Sequence, residues 1–399
     1  MHDPSRVRVT GPLEQFTDGF ATALRLQGYT ARGTTGQLYL MAHLSRWLAA
    51  ECLGVKDLAG TVVERFVAAR RAAGYAQFRS PRALEPLLCH LRELGQAPPP
   101  SPPQPTGPVE EVLLRFRHYL VEERGLKAAS ATVYVDAVRP FLESRLTSQG
   151  LQLADLDTDG VAGFVLAQER GSAKQMVSRL RSLLGFLHVE GMIPRPLACA
   201  VPAVARWRLS SLPKGISYPE VKRLLAACDR RTAMGRRDFA ILTMLVRLGL
   251  RPAEVASLRL GDIDWHRGEI AISGKGPRLE RLPMPVDVGE AIAAYLHRGR
   301  PRSAQDESVF VRAFAPHRAL AACAVSAIAM RASKRAGIRH VHACRLRHTA
   351  ASELLAAGAS LQEVGQVLRH RHPETTAIYA KVNREALRTI ARPWAGGVA

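Results

Sequence analysis

Five side chains in the C-terminal part of the chain carry the groups that are needed to open a phosphodiester. They are Arg251, Lys275, Arg347, His370 and Tyr379. That reaction requires a nucleophile, cations for the charge that grows on the non-bridging oxygens, and an acid for the leaving oxygen. Arginine suits the oxyanions because its guanidinium is a planar, permanently charged fork. Taken one at a time, the five residues also have ordinary structural explanations, such as a helix-start arginine, a solvated turn lysine or a core tyrosine.

The order and spacing of these residues are more specific than their types. His370 lies 23 residues after Arg347 and nine residues before Tyr379. The surrounding strings are LGLRPAEVASLRLGDIDW, SGKGPRLERLPMP, CRLRHTAASELLAAGASLQEVGQVLRH and HPETTAIYAKV. With these strings in this order, the chain resembles the tyrosine recombinases, also called the phage integrase family, strongly over 213–383 and moderately over 109–205.

The resemblance assigns a role to each of the five residues. Arg251 and Arg347 match the two arginines that stabilise the phosphate oxyanions, and Lys275 matches the lysine that protonates the leaving 5′ oxygen. His370 matches the second active-site His/Trp position, which donates to the scissile phosphate. Tyr379 matches the nucleophile that forms a 3′-phosphotyrosyl link. Because this link stores the bond energy, the resemblance implies a DNA strand transferase that uses neither a cofactor nor a metal.

Two supporting positions qualify the match. Glu254 matches a common acidic residue of the family and is expected to position a catalytic arginine or its neighbour. Cys344 stands where the family usually has histidine, three residues before the second arginine, and a thiol is a weak donor and no cation. Either Cys344 is tolerated with reduced activity, or His342 or His348 supplies the missing donor. The third alternative is a catalytically crippled or engineered enzyme.

A metal alternative arises because zinc accepts both histidine and cysteine ligands. The candidate set lacks the paired spacing of a zinc finger, which disfavours a structural zinc site. It consists of His340, His342, Cys344, His348, His370 and His372. Only His370 has the nine-residue interval to Tyr379, so His372 is expected to contact backbone phosphate or solvent.

The composition favours a polyanionic partner. The 399 residues include 56 Lys plus Arg against 35 Asp plus Glu, which gives a formal charge of +21 and a pI of about 10.6. A folded protein this basic is expected to bind nucleic acid, with arginine-rich coding bias as the alternative explanation. The 47% of hydrophobic residues exclude a disordered basic tail.

Other classes are excluded by what the sequence lacks. No run of about 18 apolar residues is present to form a transmembrane helix, and the first residues lack the apolar core of a signal peptide. Six scattered cysteines without a CxxC pair suit reduced thiols. We therefore expect a bacterial cytoplasmic protein that associates with the nucleoid and has no membrane partner.

Proline-rich and polar stretches divide the chain into three predicted domains. Residues 97–108 include seven prolines and are expected to form a stiff linker. It separates a helical N-terminal accessory or arm-like DNA-binding domain (1–96) from a helical core-binding domain (109–205). A softer boundary precedes the catalytic domain and its C-terminal tail helix (213–399).

Periodicity predicts a mainly α fold with a small antiparallel β-sheet in the C-terminal domain. By resemblance this is the tyrosine-recombinase catalytic fold, preceded by helical, SAM-like N-terminal domains. The strands are expected at 269–272 and 278–283, joined by a turn-rich segment that carries Lys275. Helices are expected over 172–189, 217–228, 237–248, 251–258, 287–298, 318–336, 345–357, 361–369 and 382–394.

The resemblance implies a site-specific recombinase that acts on double-stranded DNA as the integrase or transposase of a mobile genetic element. The two larger domains would close around the duplex, and the tail helix over 382–394 would pack on a neighbouring protomer. Cyclic exchange of tail helices between protomers would give a homotetramer in the synaptic complex, alone or with a partner recombinase. The alternative of a different class is a DNA-binding accessory or regulatory protein that kept the fold and lost turnover, for which Cys344 is the sequence indication.

Overall fold

The structure is a computed structural model, and it describes residues 4–100, 105–167, 170–202, 214–274 and 279–382. Helices dominate these residues, with two small antiparallel β-sheets. The expected mainly α fold is therefore confirmed. In the described part of the chain, no helix is long and apolar enough to cross a membrane.

Contacts group the chain into two compact units. One consists of Met1–Pro99 together with Leu209–Ala399, and the other is Pro100–Arg208. The described residues of the first unit contain three separate hydrophobic cores. One is built from the N-terminal helices, a larger one from residues between Ile216 and Leu346, and a small one includes Leu355, Leu368 and Tyr379. The three-domain boundaries at 1–96, 109–205 and 213–399 stay a prediction.

Four helices form the N-terminal core of the first unit. They are α1 (Thr17–Leu26), α2 (Ala31–Ala50), α3 (Gly60–Ala72) and α4 (Glu85–Glu93). Helix α2 begins after Thr30, whose hydroxyl accepts a hydrogen bond from the Gly33 N–H at 3.1 Å and so satisfies one of the free donors of the first turn. Fully buried leucines and Phe20 fill the space between these helices.

The second unit is also helical and has one short hairpin. Its elements are α5 (Pro108–His118), α6 (Ala128–Glu143), the hairpin β1–β2 (Leu146–Thr147 and Gly150–Leu151), α7 (Thr158–Leu166) and α8 (Arg170–Val189). A π-helical turn follows α5. The expected helix over 172–189 corresponds to α8, while the hairpin was not expected.

Eight helices belong to the C-terminal part of the first unit, and the first six of them contribute residues to its larger core. They are α9 (Tyr218–Ala226), α10 (Ala233–Arg247), α11 (Pro252–Ser257), α12 (Val286–Arg298), α13 (Ala322–Arg335), α14 (Ala343–Ala356), α15 (Leu361–Val367) and α16 (Pro373–Ala377). Helix α10 is the most buried, because it packs against both α12 and α14. Its charged residues Arg237 and Asp238 are buried as an ion pair at 2.8 Å.

A three-stranded sheet covers one side of this core, in the order β3 (Ile263–Asp264), β4 (Glu269–Ser273) and β5 (Leu279–Pro283). Ile270 and Ile272 alternate with more exposed residues along β4, so one face of the strand is buried. The expected hairpin is present as β4 and β5, and the two-residue strand β3 adds to it. Lys275 and the rest of 275–278 lie outside the described residues.

Several helix boundaries differ from the sequence expectations, and α10 begins at Ala233 rather than at 237. Helix α13 begins at Ala322 rather than 318, because Ala319 pairs with Val311 in a β-bridge. The expected helix over 361–369 ends at Val367, and the short helix α16 was not expected. The predicted tail helix over 382–394 lies outside the described residues from 383 onward.

We predict that Gly249→Ala destabilises the fold at the end of α10. Gly249 has φ +56, and a Cβ there would lie 2.6 Å from Cδ2 of Leu368. The substitution should lower the free energy of unfolding by about 2–4 kcal/mol, from left-handed backbone strain and overpacking together. Gly337→Ala is the matched control, since Gly337 has φ +62 with nothing within 4 Å; it should cost about 1 kcal/mol. Equal losses in urea denaturation would contradict the packing argument.

Candidate active site

Arg347 is bound by the C-terminal ends of two helices. It lies in α14, and its side chain donates from Nη1 to the Gly249 carbonyl at 2.5 Å and from Nη2 to the Leu368 carbonyl. These carbonyls follow α10 and α15, where the helix dipole favours a cation. Burial, with the charges of Arg251 and Arg369, lowers the pKa of Arg347 to about 10. The guanidinium therefore stays charged at neutral pH.

The carboxylate of Glu254 connects two other arginines. Arg251 is the N-cap of α11, and Glu254 is the third residue of that helix. The Arg251 backbone N–H donates to Oε2 at 2.8 Å, and its Nη1 donates to Oε1 at 2.6 Å. From the other side, Arg369 donates from Nη2 to Oε2 at 2.8 Å. The expected positioning of Arg251 by Glu254 therefore has a definite geometry here.

Burial and the arginine partners act on the pKa of Glu254 in opposite directions. Burial by itself raises the pKa of Glu254, but the Arg251 backbone N–H and the charges of Arg369 and Arg251 together bring it below its ordinary value. The carboxylate is only 4% exposed. It is thus a buried anion whose charge is compensated by arginines on two separate segments.

Arg369 is the residue at this site that sequence reasoning missed. Helix α15 ends in a Schellman motif, in which the Arg369 N–H bonds to the Gln366 carbonyl and the His370 N–H to the Gly365 carbonyl. Arg369 occupies the left-handed position with φ +54, where glycine is the usual residue because a Cβ costs about 1–2 kcal/mol. The local sequence gives no signal for this helix end, because arginine rather than glycine stands directly before His370.

His370 is held as a neutral imidazole. Its Nδ1 lies 2.7 Å from Oγ1 of Thr376 in α16. Burial, followed by the charges of Arg347, Arg251 and Arg369, lowers its pKa to about 4. In the tautomer whose Nδ1 accepts from the Thr376 hydroxyl, the ring proton is on Nε2, and Nε2 is a neutral hydrogen-bond donor.

Tyr379 lies buried in a 3₁₀ turn after α16, with 1% of its surface exposed. Its hydroxyl is 2.8 Å from Nδ1 of His348. The ring lies parallel to that of His370, with the centroids 6.4 Å apart. Burial raises the pKa of Tyr379, the charge of Arg347 opposes this, and Cys344 adds to it. Burial and the charge of Arg347 lower the pKa of His348, so its ring is neutral.

The other sequence-predicted residues are more exposed. Cys344 is an exposed free thiol in the first turn of α14. His342 is the N-cap of the same helix, and its ring packs edge-on against that of His340. His372 is exposed at the start of α16. Among the described residues, no three His, Cys, Asp or Glu side chains come together to hold a metal ion.

A cavity of about 1160 Å³ opens beside this arrangement. Arg251, Arg369 and His370 line it, as do Gly274 and Glu280, which flank the undescribed residues of the hairpin. Arg371 and His372 line it as well, and Glu280 and Glu374 add carboxylates. Of the candidate catalytic residues, the partly exposed guanidinium of Arg251 and the neutral imidazole of His370 line this space, and both can donate hydrogen bonds to a phosphate-type anion.

The comparisons with family models and with known proteins agree on one family. Residues 215–386 match the model of the phage integrase family. The chain is 40% identical, over 97% of its length and 95% of the other, to the Sinorhizobium fredii (strain NBRC 101917 / NGR234) protein y4rA, whose name describes an integrase/recombinase. It is 28% identical to the tyrosine recombinase XerD of Listeria monocytogenes serotype 4b (strain F2365), over 71% of this chain and 97% of that one.

Solved structures share the fold. The XerH site-specific recombinase bound to palindromic difH substrate, in a post-cleavage complex, matches with a TM-score of 0.53 at 17% identity, over 82% of this chain and 93% of that one. A lambda integrase tetramer bound to a Holliday junction matches with a TM-score of 0.52 at 16% identity, over 82% and 91%.

We predict that His370 makes stability depend on pH below neutrality. Folding lowers its pKa from 6.5 to about 4, so the unfolded chain binds the proton more tightly. The contribution of neutral His370 to the free energy of unfolding should therefore be complete above pH 6.5. It should decrease by about 2–3 kcal/mol as the pH drops towards 4. Urea denaturation of the wild type and His370→Gln checks this. The variant should lose less stability over that range, and parallel pH curves would contradict the assignment.

Proposed function

Since the chain belongs to the phage integrase family of tyrosine recombinases, we propose that it cleaves and rejoins DNA strands at specific sites through a 3′-phosphotyrosyl intermediate. The observation that carries the proposal is the grouping of Arg347, His370 and Tyr379 through shared contacts and charge effects. Arg347 acts on the pKa of both other residues, and the two rings lie parallel. A nucleophile, a cation and a neutral donor are thereby held near one another.

In the proposed reaction, Arg251 and Arg347 stabilise the oxyanion that forms as phosphorus becomes five-coordinate. His370 donates from Nε2 to a non-bridging oxygen of the same phosphate. Because His370 is neutral, it adds a hydrogen bond without adding a full charge to a pocket that already holds several arginines. The arginines therefore supply positive charge, and His370 supplies one hydrogen bond of defined direction.

Tyr379 is the proposed nucleophile and His348 its proton acceptor. As the phenolic oxygen bonds to phosphorus, its proton passes to Nδ1 of His348, and the bond from phosphorus to the 5′ oxygen breaks. The neutral ring of His348, 2.8 Å from the hydroxyl, supports this direction of transfer. The leaving oxygen takes a proton from Lys275, a role that rests on the family resemblance. Religation reverses each transfer, so no cofactor or metal is consumed.

Cys344 reduces the number of charged donors at the phosphate. The thiol replaces the histidine usual in the family, and a thiol is a weak donor. Of the two histidines considered as substitutes, His348 contacts the nucleophile, whereas His342 lies exposed and pairs with His340. We therefore propose that His348 is the substitute, and that it acts on the tyrosine rather than on the phosphate.

The proposed substrate is double-stranded DNA. A formal charge of +21 suits a surface that binds many phosphates, and such binding weakens steeply with salt. Lambda integrase and XerH, which share the fold, are DNA-bound in their solved structures, one as a tetramer. By extension we propose a homotetrameric synaptic complex, alone or with a partner recombinase, and a role as integrase or transposase of a mobile element.

We predict that Tyr379→Phe abolishes covalent attachment to DNA. The test uses a nicked suicide duplex whose site is selected by the protein from a randomised pool, because strand loss then traps the intermediate. The wild type should become attached to the 3′ phosphate, and the variant should bind equally well without attaching. Binding by both proteins with attachment by neither would instead favour the accessory, turnover-deficient alternative.

We predict that Cys344→His raises the rate of strand cleavage by about tenfold or more, because imidazole restores a donor that can also carry charge. Single-turnover cleavage of the same duplex measures this rate, with Cys344→Ala as the control for loss of the thiol. Equal rates for the wild type and both variants would show that position 344 plays no part in the reaction.

A further inference from the structure

The two oxygens of the Glu254 carboxylate accept different numbers of hydrogen bonds. Its Oε1 accepts from Nη1 of Arg251 at 2.6 Å. Its Oε2 accepts from the Arg251 backbone N–H at 2.8 Å and from Nη2 of Arg369 at 2.8 Å. Arg251 thus makes a single guanidinium contact with a carboxylate that could accept two, although arginine–carboxylate pairs are often bidentate.

Arg369 is held at this carboxylate by its backbone and by its burial. Its side chain is 2% exposed, compared with 41% for that of Arg251. Its Nη1 donates to the Val367 carbonyl at 2.9 Å, which fixes the second arm of the guanidinium. The backbone of Arg369 is left-handed, with φ +54, and this conformation sets the direction in which its side chain leaves the end of α15. Arg369 therefore has little freedom to leave Glu254.

The contact between Arg369 and Glu254 changes how strongly Glu254 attracts Arg251. Near the cavity, one carboxylate faces the guanidinium groups of Arg251 and Arg369. If Arg369 were absent, the full charge of Glu254 would act on Arg251 alone, and Oε2 would be open to a second N–H from the same fork. Arg251 would then be neutralised and turned away from any anion in the cavity.

We propose that Arg369 is a positioning residue that limits Arg251 to one contact with Glu254 and leaves the remaining guanidinium N–H groups of Arg251 free to bind a tetrahedral oxyanion in the cavity. The identity of that oxyanion as the scissile phosphate rests on the proposed function. The positioning itself depends only on the contacts among the three residues.

The first test measures the binding of tungstate, a tetrahedral dianion, to the full-length chain by titration calorimetry. Arg369→Met keeps the length of the side chain but removes its donors and charge, and it should weaken tungstate binding about tenfold, as for the loss of one charge-assisted hydrogen bond. Arg331→Met removes an exposed arginine on α13 outside the cavity. This matched control should change the affinity less than twofold.

The second test is rescue by Glu254→Gln. In the double variant Glu254→Gln/Arg369→Met, the neutral amide no longer holds Arg251 by charge, so tungstate affinity should recover most of the tenfold loss. A residue that merely supports packing would give the opposite result, because a second substitution at a buried position adds damage. Failure of the double variant to bind more tightly than Arg369→Met would overturn the proposal.

Arg369→Lys covers the case in which Arg369→Met does not fold, as judged by circular dichroism. Since Arg369 makes one contact with Glu254, a lysine ammonium can replace it, and tungstate affinity should stay within about threefold of wild type. A folded Arg369→Lys variant with affinity reduced tenfold or more would contradict the positioning role.

Cleavage of the suicide duplex separates this proposal from the proposed function. Arg369→Met should cleave about tenfold more slowly in single turnover, or slower still, with DNA affinity unchanged within twofold, because many other phosphate contacts remain. A wild type that binds tungstate but never attaches to DNA would refute the recombinase function and leave the tungstate results to decide on Arg369. Normal cleavage by Arg369→Met would overturn the role of Arg369 alone.

Discussion

A buried arginine must be surrounded by acceptors, and Arg347 obtains two of them from the ends of helices. Its guanidinium donates to the carbonyls of Gly249 and Leu368, which terminate α10 and α15. Each carbonyl would otherwise be unsatisfied at a helix end, and the dipoles of both helices favour a cation there. The relative placement of α10, α14 and α15 is therefore tied to one side chain. Gly249 must remain glycine in this arrangement, since a Cβ would press on Leu368.

The positive charge of several arginines around Arg347 requires a compensating negative charge. Glu254 supplies it, because its carboxylate receives Arg251 from its own helix and Arg369 from the end of α15. Burial, together with the same positive charges, makes a protonated His370 unfavourable and keeps this residue as a neutral donor. Charge and hydrogen-bond direction are thus divided between residue types. This division suits a pocket that must bind a phosphate firmly without holding it too tightly to react.

Much of the architecture was predictable from local sequence. The capping box Ser360–Glu363 forms as expected, and at Ser217–Glu220 the glutamate half of the box is present. Each serine N–H donates to the glutamate three residues later, and the Ser360 hydroxyl also accepts from the Glu363 N–H. The strands β4 and β5 lie where the sequence pattern predicted them, and buried residues alternate with more exposed ones along β4. The end of α15 was not predictable in this way, because a non-glycine residue in a left-handed conformation breaks the local rule and is stabilised by a distant ion pair. Lys275 remains an expectation from the sequence.

Order, spacing and periodicity are properties of the chain, so the family resemblance, the mainly helical class and the set of candidate residues could be predicted without a structure. Which of these groups meet depends on the packing of the folded protein. Arg347 and its Gly249 acceptor are 98 residues apart, and Arg369 and Glu254 are 115 residues apart. The contact of His348 with Tyr379 likewise links α14 to the turn after α16. Such pairs depend on how helices pack, and local propensity carries no information about packing between distant segments.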